Sequence, residues 1–381
     1  MEEWNQSSLF DLLPEDDPMR IALTPLPSTD WKWSFKDYPP KNGLKVFSCF
    51  ACGGGSTMGY KLAGCDVVGC CEIDKRMNDA YVRNHNPRFN YLMDIRDFNK
   101  LDDLPQELYE LDILDGSPPC STFSMAGQRE EAWGKEKRFK EGQKLQTLDD
   151  LPFVFIETVA KLRPKVVIIE NVEGLLLGNA WDYVKKIHTQ LRSLGYTVRH
   201  ELLKGEDMGV PQKRHRVFFI ATRLDFDLQS IDLRFFYQPV PYGAFKDNRG
   251  EKVEGKMGVA LAQAIDTDRD FSDIYKRIEG KDKGFGHRLV HNNEIMPTVL
   301  AGHRDLYDFE NRTRVSTSDI ICAQTFPQDY DFGEKKYSTV EYLCGMSVPP
   351  LMIKRIVTRL IESGIFEKGD KNENSNSRND V

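Results

Sequence analysis

Lys45-Val46-Phe47-Ser48-Cys49-Phe50-Ala51-Cys52-Gly53-Gly54-Gly55-Ser56 is the stretch from which the architecture of this chain can be read. Lys45 to Phe50 is an apolar run of strand length, three glycines then allow a tight turn, and Ser56 to Leu62 has helical spacing closed by Gly64. The same alternation continues with a strand at Asp66 to Cys71, a helix at Asp74 to Asn84, and strands at Asn90 to Met93 and Leu111 to Leu114. Next come a helix at Phe153 to Leu162, a fully apolar β run at Val166 to Ile169, a helix at Trp181 to Leu194, and strands at Thr197 to Leu203 and Val217 to Ala221. Alternating strands and helices of these lengths predict an α/β chain with a mostly parallel, doubly wound sheet and helices on both faces.

Beyond Arg223 the regularity fails. Residues 224–295 mix glycine, proline, charge and scattered aromatics without lasting periodicity, which predicts a small, irregular, loop-rich domain. A last amphipathic helix follows Ser347-Val348-Pro349-Pro350, with Leu351, Met352, Ile353, Ile356, Val357 and Leu360 on one face and Gly364 as its stop, and it is expected to dock back onto the sheet. Residues 1–41 read as an N-terminal extension and 367–381, polar and rich in Asn and Ser, as a disordered tail.

With 381 residues, 40% of them hydrophobic, the chain can build a substantial core. It has no run of about 18 apolar residues and no basic-then-apolar leader at Met1-Glu2-Glu3-Trp4, so a cytoplasmic protein with no membrane span is expected. Its eight cysteines are expected to be reduced, and no metal is expected: strand pleating points neighbours such as Cys70 and Cys71 to opposite faces. The net charge of -7 is concentrated in the tails, where residues 1–41 carry eight acids against four bases and 362–381 five against three. The body is nearly neutral, and Gly134-Lys135-Glu136-Lys137-Arg138-Phe139-Lys140 with Lys144 forms a basic stretch able to meet phosphates.

Five sites carry the chemistry. In Gly116-Ser117-Pro118-Pro119-Cys120 two prolines leave Cys120 few orientations, which suits a nucleophile and equally an ordinary turn with a buried thiol. The glycine turn lets backbone approach a ligand closely, and Glu72, about 20 residues on, ends the second strand where an acid accepts hydrogen bonds from ribose hydroxyls. Asp94-Ile95 follows the third strand, where it can do likewise for an adenine ring; taken singly, Glu72 reads equally as a strand-end helix cap and Asp94 as a surface turn. Glu170 leaves a central apolar strand in Ile168-Ile169-Glu170-Asn171-Val172, and Gln212, Arg214 and Arg216 alternate ahead of another, on one face of it.

In this order the set resembles the cytosine-5 DNA methyltransferase family, over roughly Lys45 to Leu360. The family's Phe-x-Gly-x-Gly-Gly turn falls on Phe50 to Gly55, its Pro-Cys motif on Pro119-Cys120, its Glu-Asn-Val motif on Glu170 to Val172, and its Gln-x-Arg-x-Arg motif on Gln212 to Arg216. A late segment matches Arg314 to Ile320, and a final motif Gly345 to Val348. The chain departs from the pattern at Cys52, which replaces a glycine, at Ser48, where an acid is common, and at Met346, where an asparagine often touches the cofactor.

The resemblance implies a Rossmann-like S-adenosylmethionine-dependent methyltransferase sheet at 42–223, a target-recognition domain at 224–295, and a return segment at 296–366 that completes the catalytic domain. It implies Cys120 as nucleophile toward carbon 6 of a flipped-out cytosine in double-stranded DNA, Glu170 at the ring's N3, and Arg216, helped by Arg214, at its O2. Phe50, Gly53, Gly54, Gly55, Glu72, Ile73, Asp94, Ile95, Gly116, Pro118 and Ser347 are implied to hold S-adenosyl-L-methionine. Met125 to Lys144 would close on DNA, with Gly127 and Gly134 as hinges. A restriction endonuclease is an implied partner, and Gln6-Ser7-Ser8-Leu9-Phe10 resembles peptides that bind bacterial sliding clamps through Gln6, Leu9 and Phe10, or else anchors Leu9 and Phe10 on its own domain. The rival readings are a tRNA cytosine-5 methyltransferase, whose Cys-Phe-Thr signature the small domain lacks, and a non-enzymatic DNA-binding regulator on the same fold. A nicotinamide oxidoreductase is left little room by Pro-Pro-Cys and Glu-Asn-Val.

Overall fold

The computed structural model of the chain describes residues 29–119, 150–284, 286–302 and 305–369. Its centre is a seven-stranded sheet of β1 (Lys45–Cys49), β2 (Asp66–Glu72), β3 (Phe89–Leu92), β4 (Ile113–Gly116), β5 (Val166–Val172), β6 (Thr197–Lys204) and β7 (His215–Thr222), in the order β3-β2-β1-β4-β5-β7-β6. Strands β1 to β5 pair in parallel, and β7 runs antiparallel between β5 and β6. The order reverses between β1 and β4, the point at which a crevice opens in sheets of this kind.

Side chains alternate faces along each strand, and the core divides accordingly. Val46, Val166, Ile168, Phe218 and Ile220 bury into one cluster, while Phe47, Val167, Ile169, Val217 and Phe219 bury into the other. The first face is covered by α1 (Gly55–Leu62), the second by α4 (Leu151–Leu162) and α5 (Trp181–Ser193); α2 (Lys75–His85) and the one-turn α3 (Ile95–Phe98) lie between them in sequence. Among these strands only β4 is displaced by two residues from the apolar run that announces it, because Val46 pairs with Ile113 and the Lys45 amide is held by the Asp112 carboxylate.

The irregular region is more ordered than its composition suggests. Leu224, Leu228, Ile231, Leu233, Phe235, Val240, Tyr242 and Phe245 all pack into the main core, so 224–245 belongs to the sheet's own body. A separate core begins near Val253 and runs to Phe309, joining α6 (Gly255–Ala262), α7 (Phe271–Glu279) and a small sheet of β8 (Arg288–Val290), β9 (Leu306–Asp308) and β10 (Thr313–Arg314). Three helices then return the chain: α8 (Thr317–Ala323), α9 (Tyr337–Met346) and α10 (Pro350–Glu362). As expected, α10 docks on the first face; it crosses α1 so closely that a Cβ on Gly59 would lie 2.4 Å from the Pro350 carbonyl oxygen. Among the described residues no helix is long and apolar enough to cross a membrane.

Candidate active site

The C-terminal ends of the parallel strands surround a cavity of about 540 Å³, within the range of small-molecule sites. Phe50 and Cys52 reach it from β1, Cys71 to Asp74 from β2, Asp94 and Ile95 from β3, Ser117 to Pro119 from β4, Glu170 to Val172 from β5, and Arg214 and Arg216 from β7. Leu300 to Gly302 and Tyr342, Gly345 and Met346 on the return segment close the far wall.

The glycine turn is built by strain and close packing. Phe50 and Cys52 hold left-handed φ values of 54° and 48°, uncommon for residues with a Cβ. Gly54 has φ 87°, and a Cβ there would sit 2.1 Å from His85 Nε2; one on Gly55 would sit 2.1 Å from the Val348 carbonyl oxygen. Gly53, Gly54 and Gly55 are not among the residues lining the cavity. These glycines are required by the protein packed behind them, whereas Phe50, Glu72, Ile73, Asp94, Ile95 and Pro118 line the space itself. Gly116 and Ser347 also stand back from it. A Cβ on Gly116 would meet the Phe155 ring at 2.4 Å, and Ser347 is buried with its hydroxyl donating to the Leu343 carbonyl at 2.7 Å.

One carboxyl holds the turn, and a second ties together the strand and helix that flank it. Glu72 accepts from the Cys52 amide through Oε2 and from the Asp74 amide through Oε1, both at 2.8 Å, and burial pushes its pKa up to about 7. Asp115, fully buried, accepts from Ser48 Oγ at 2.7 Å and from the Tyr60 hydroxyl at 3.0 Å, and burial again raises it to about 7. Ser48 and Asp115 are register partners on β1 and β4. Position 48, where the family commonly has an acid, here carries a hydroxyl bonded to an acid of the neighbouring strand.

At the other end Arg216 Nε lies 2.8 Å from Glu170 Oε1. Asn171 is buried and donates through Nδ2 to the Pro118 carbonyl at 3.3 Å, tying the Pro118-Pro119 turn to β5. Pro119, the residue preceding Cys120, lines the cavity. Cys120 itself, the segment Met125 to Lys144 with Gly127 and Gly134, and Gln6, Leu9 and Phe10 lie outside the described residues. Arg214, expected to share the work of Arg216, is engaged elsewhere: Nη1 donates to the Val299 carbonyl at 3.2 Å, and Nη2 to the carbonyls of Gly345 at 3.1 Å and Ser347 at 2.8 Å. Gln212 is buried beside it, donating to the Ala323 carbonyl and to Gln324 Oε1 and accepting from the Val299 amide. Of the three alternate residues, then, two fasten the return segment and Arg216 pairs with Glu170.

A family model of C-5 cytosine-specific DNA methylases matches residues 44–362. The chain belongs to that family. Among its relatives, the Type II methyltransferase M.AplI of Arthrospira platensis is 27% identical over 82% of this chain and 84% of its own length. M.Sau96I of Staphylococcus aureus, also a Type II methyltransferase, is 32% identical over 78% of this chain and 70% of its own. The solved structure of Spodoptera frugiperda DNMT2 superposes with a TM-score of 0.59 at 14% identity, covering 84% of this chain and 100% of that one, which shows a shared fold. An α/β Rossmann-like methyltransferase architecture follows, and with it enzymatic methyl transfer.

Several methylase residues of the cavity carry no signal in the sequence. Tyr342 donates to Asp74 Oδ2 at 2.8 Å and lies under the Arg76 guanidinium, 4.4 Å from ring centroid to Arg76 Cζ, so α9 and α2 share one wall. Leu300 to Gly302 reach the cavity because Gly345, lacking a Cβ, lets their backbone come close: a Cβ there would be 2.4 Å from the Ala301 nitrogen. Asn171 is the exception, since its Glu-Asn-Val context marks it. No group of three or more His, Cys, Asp or Glu side chains is arranged to hold a metal among the described residues.

Proposed function

We propose that this methylase methylates carbon 5 of cytosine in DNA, with the donor in the cavity and the base entering beside Glu170 and Arg216. The observation that carries the reading is the Glu170–Arg216 pair, which lines the same cavity as Pro119, the residue that leads into Cys120. The fit for S-adenosylmethionine rests on chemistry present in the wall: the Glu72 and Asp94 carboxyls suit ribose hydroxyls and an adenine amine, and Phe50, Ile73 and Ile95 offer apolar faces to a flat ring. When bound, the donor supplies an electrophilic methyl group.

The chain's own residues make carbon 5 nucleophilic. Cys120 as thiolate adds to carbon 6, and the electron pair moves toward N3, where Glu170 shares a proton. Arg216 holds the Glu170 carboxyl and presents its terminal nitrogens to O2. Once carbon 5 is methylated, a base takes its proton and the thiolate leaves, restoring the ring. Asn171 acts before any of this, by fixing the Pro118 carbonyl and so the approach of the chain to Cys120.

The base must leave the duplex to reach such a pocket. The target-recognition element is the separate unit of α6, α7 and the small β8–β10 sheet, which begins near Val253 because 224–245 packs into the main core. The Type II names of the relatives support a cognate restriction endonuclease, and Gln6, Leu9 and Phe10 a sliding clamp, which a pull-down before and after Leu9→Ala plus Phe10→Ala tests. For the central reading, a duplex carrying 5-fluorocytosine at the target site, mixed with S-adenosylmethionine, should trap a denaturation-stable adduct with the wild type and none with Cys120→Ala. Methyl transfer to transfer RNA instead of duplex DNA would overturn the substrate.

A further inference from the structure

The family match begins at residue 44, yet the chain ahead of it is tied into the core. Asp30 meets Lys354 and Arg355 of α10 at 2.8 and 2.7 Å, Trp33 Nε1 donates to the Thr325 carbonyl at 2.8 Å, and the Phe35 amide donates to the Asp329 carboxylate at 3.0 and 3.1 Å. Trp31 and Trp33 are buried. The strap ends on an aromatic cluster: the Phe35 ring lies 6.2 Å from His85 and 6.4 Å from Tyr330, with Trp33 and Tyr38 packed on it from behind.

Both residues reached by Phe35 touch the glycine turn. The Tyr330 hydroxyl donates to the Gly53 carbonyl at 2.7 Å, and Tyr330 is 2% exposed. His85, buried against Tyr81 at 4.7 Å between ring centroids, occupies the space that a side chain on Gly54 would need. Burial drives its pKa well below the usual histidine value, so the ring is neutral and serves as a wedge beside the Gly53 and Gly54 backbone. The first half of the turn is held from β2, the Phe50 amide by the Cys71 carbonyl and the Cys52 amide by Glu72, but within the turn the Gly53 and Gly54 half has only the hydrogen bond from the Gly54 amide to the Ala51 carbonyl, and Phe50 and Cys52 carry strained φ.

We propose that the strap from Asp30 to Tyr38, acting through Tyr330 and His85, positions the glycine turn for the cofactor. Phe35 closes the cluster, Tyr330 fixes the Gly53 peptide, and His85 holds the left-handed Gly54. The inference rests on the cavity being the donor site. Without the clasp the turn samples other conformations, and apparent affinity falls with the competent fraction; the chemical step, which the turn does not touch, is unchanged.

The test uses the full chain. S-adenosylhomocysteine binding is measured by calorimetry, binding of a duplex containing the target site by anisotropy without cofactor, and melting temperature by calorimetry of the free protein. Tyr330→Phe should weaken S-adenosylhomocysteine binding about tenfold, raise KM for the donor by the same factor, and leave kcat at saturating donor and duplex affinity within about twofold. Phe35→Leu, which disturbs the cluster and removes no hydrogen bond, should weaken it about threefold and decides the matter if Tyr330→Phe does not fold. A lowered melting temperature with unchanged S-adenosylhomocysteine affinity in the folded variant makes the strap structural and overturns the proposal. Failure of the wild type to bind S-adenosylhomocysteine would instead remove the donor-site reading on which it rests.

Discussion

Glu170 and Arg216 are diagonal neighbours across an antiparallel pair: Arg216 stands opposite Val172 in the β5–β7 register, which puts its side chain on the face of Glu170, and the ion pair closes at 2.8 Å. A strand crossing the sheet against the direction of the others therefore delivers a cation to the exit of the central strand. Arg216→Ala should lower kcat by about 10²- to 10³-fold, the usual loss when one group stabilising developing charge is removed. Single-turnover methyl transfer with S-adenosylhomocysteine binding measured alongside checks this, and the binding should stay near wild type.

Arg214 should behave in the opposite way. Three carbonyls of the return segment depend on its guanidinium, and burial lowers its pKa to about 9, which still leaves it charged at neutral pH. Arg214→Ala leaves those buried acceptors without a donor and should cost about 3 kcal/mol of stability. Denaturant unfolding measures the loss. Per folded molecule, turnover should suffer far less than in Arg216→Ala.

Much of this was legible because the strands from Lys45 to Ala221 are short apolar runs bounded by turn residues, a signal that needs no partner to be read. The motif residues stand at the ends of those runs, so placing the strands places Glu72, Asp94, Glu170 and Arg216. Other features depend on contacts that sequence spacing does not encode. Trp33 and Thr325 are 292 residues apart, and nothing local distinguishes a strap from a tail. Helix α7 did carry signals, a capping Asp270 and a left-handed Gly280 at its end, but its glycine-rich, highly charged surroundings mask a single nine-residue element. Arg214 and Arg216 look equivalent in sequence, and only the return segment, meeting one and missing the other, separates them.

Glu72 sets a pH dependence whose sign can be worked out. Its pKa is about 7 in the folded protein against 4.5 for a free side chain, so its stabilising effect is complete below pH 4.5 and is lost as pH rises through 7. Donor binding runs the other way, since hydroxyls donate best to the ionised carboxylate. Affinity for S-adenosylhomocysteine should therefore improve about tenfold between pH 6 and 8. Calorimetric titrations across that range check it, and Glu72→Gln should bind more weakly with a flat profile.

The contact between α1 and α10 weighs helix propensity against packing. Replacing Gly59 by alanine favours the helix by about 1 kcal/mol, which alone would stabilise the protein. The new Cβ, however, would lie 2.4 Å from the Pro350 carbonyl oxygen and 2.5 Å from Ile353 Cβ, both on or beside backbone that cannot swing aside. Forcing the helices apart costs about 1–3 kcal/mol or more for an overpacked core, and here it also shifts Val348, whose carbonyl already crowds Gly55. Packing wins, so Gly59→Ala should unfold at lower denaturant with an unchanged m-value. Because Val348, two residues ahead of α10, packs behind Gly55 of the glycine turn, S-adenosylhomocysteine affinity should fall as well.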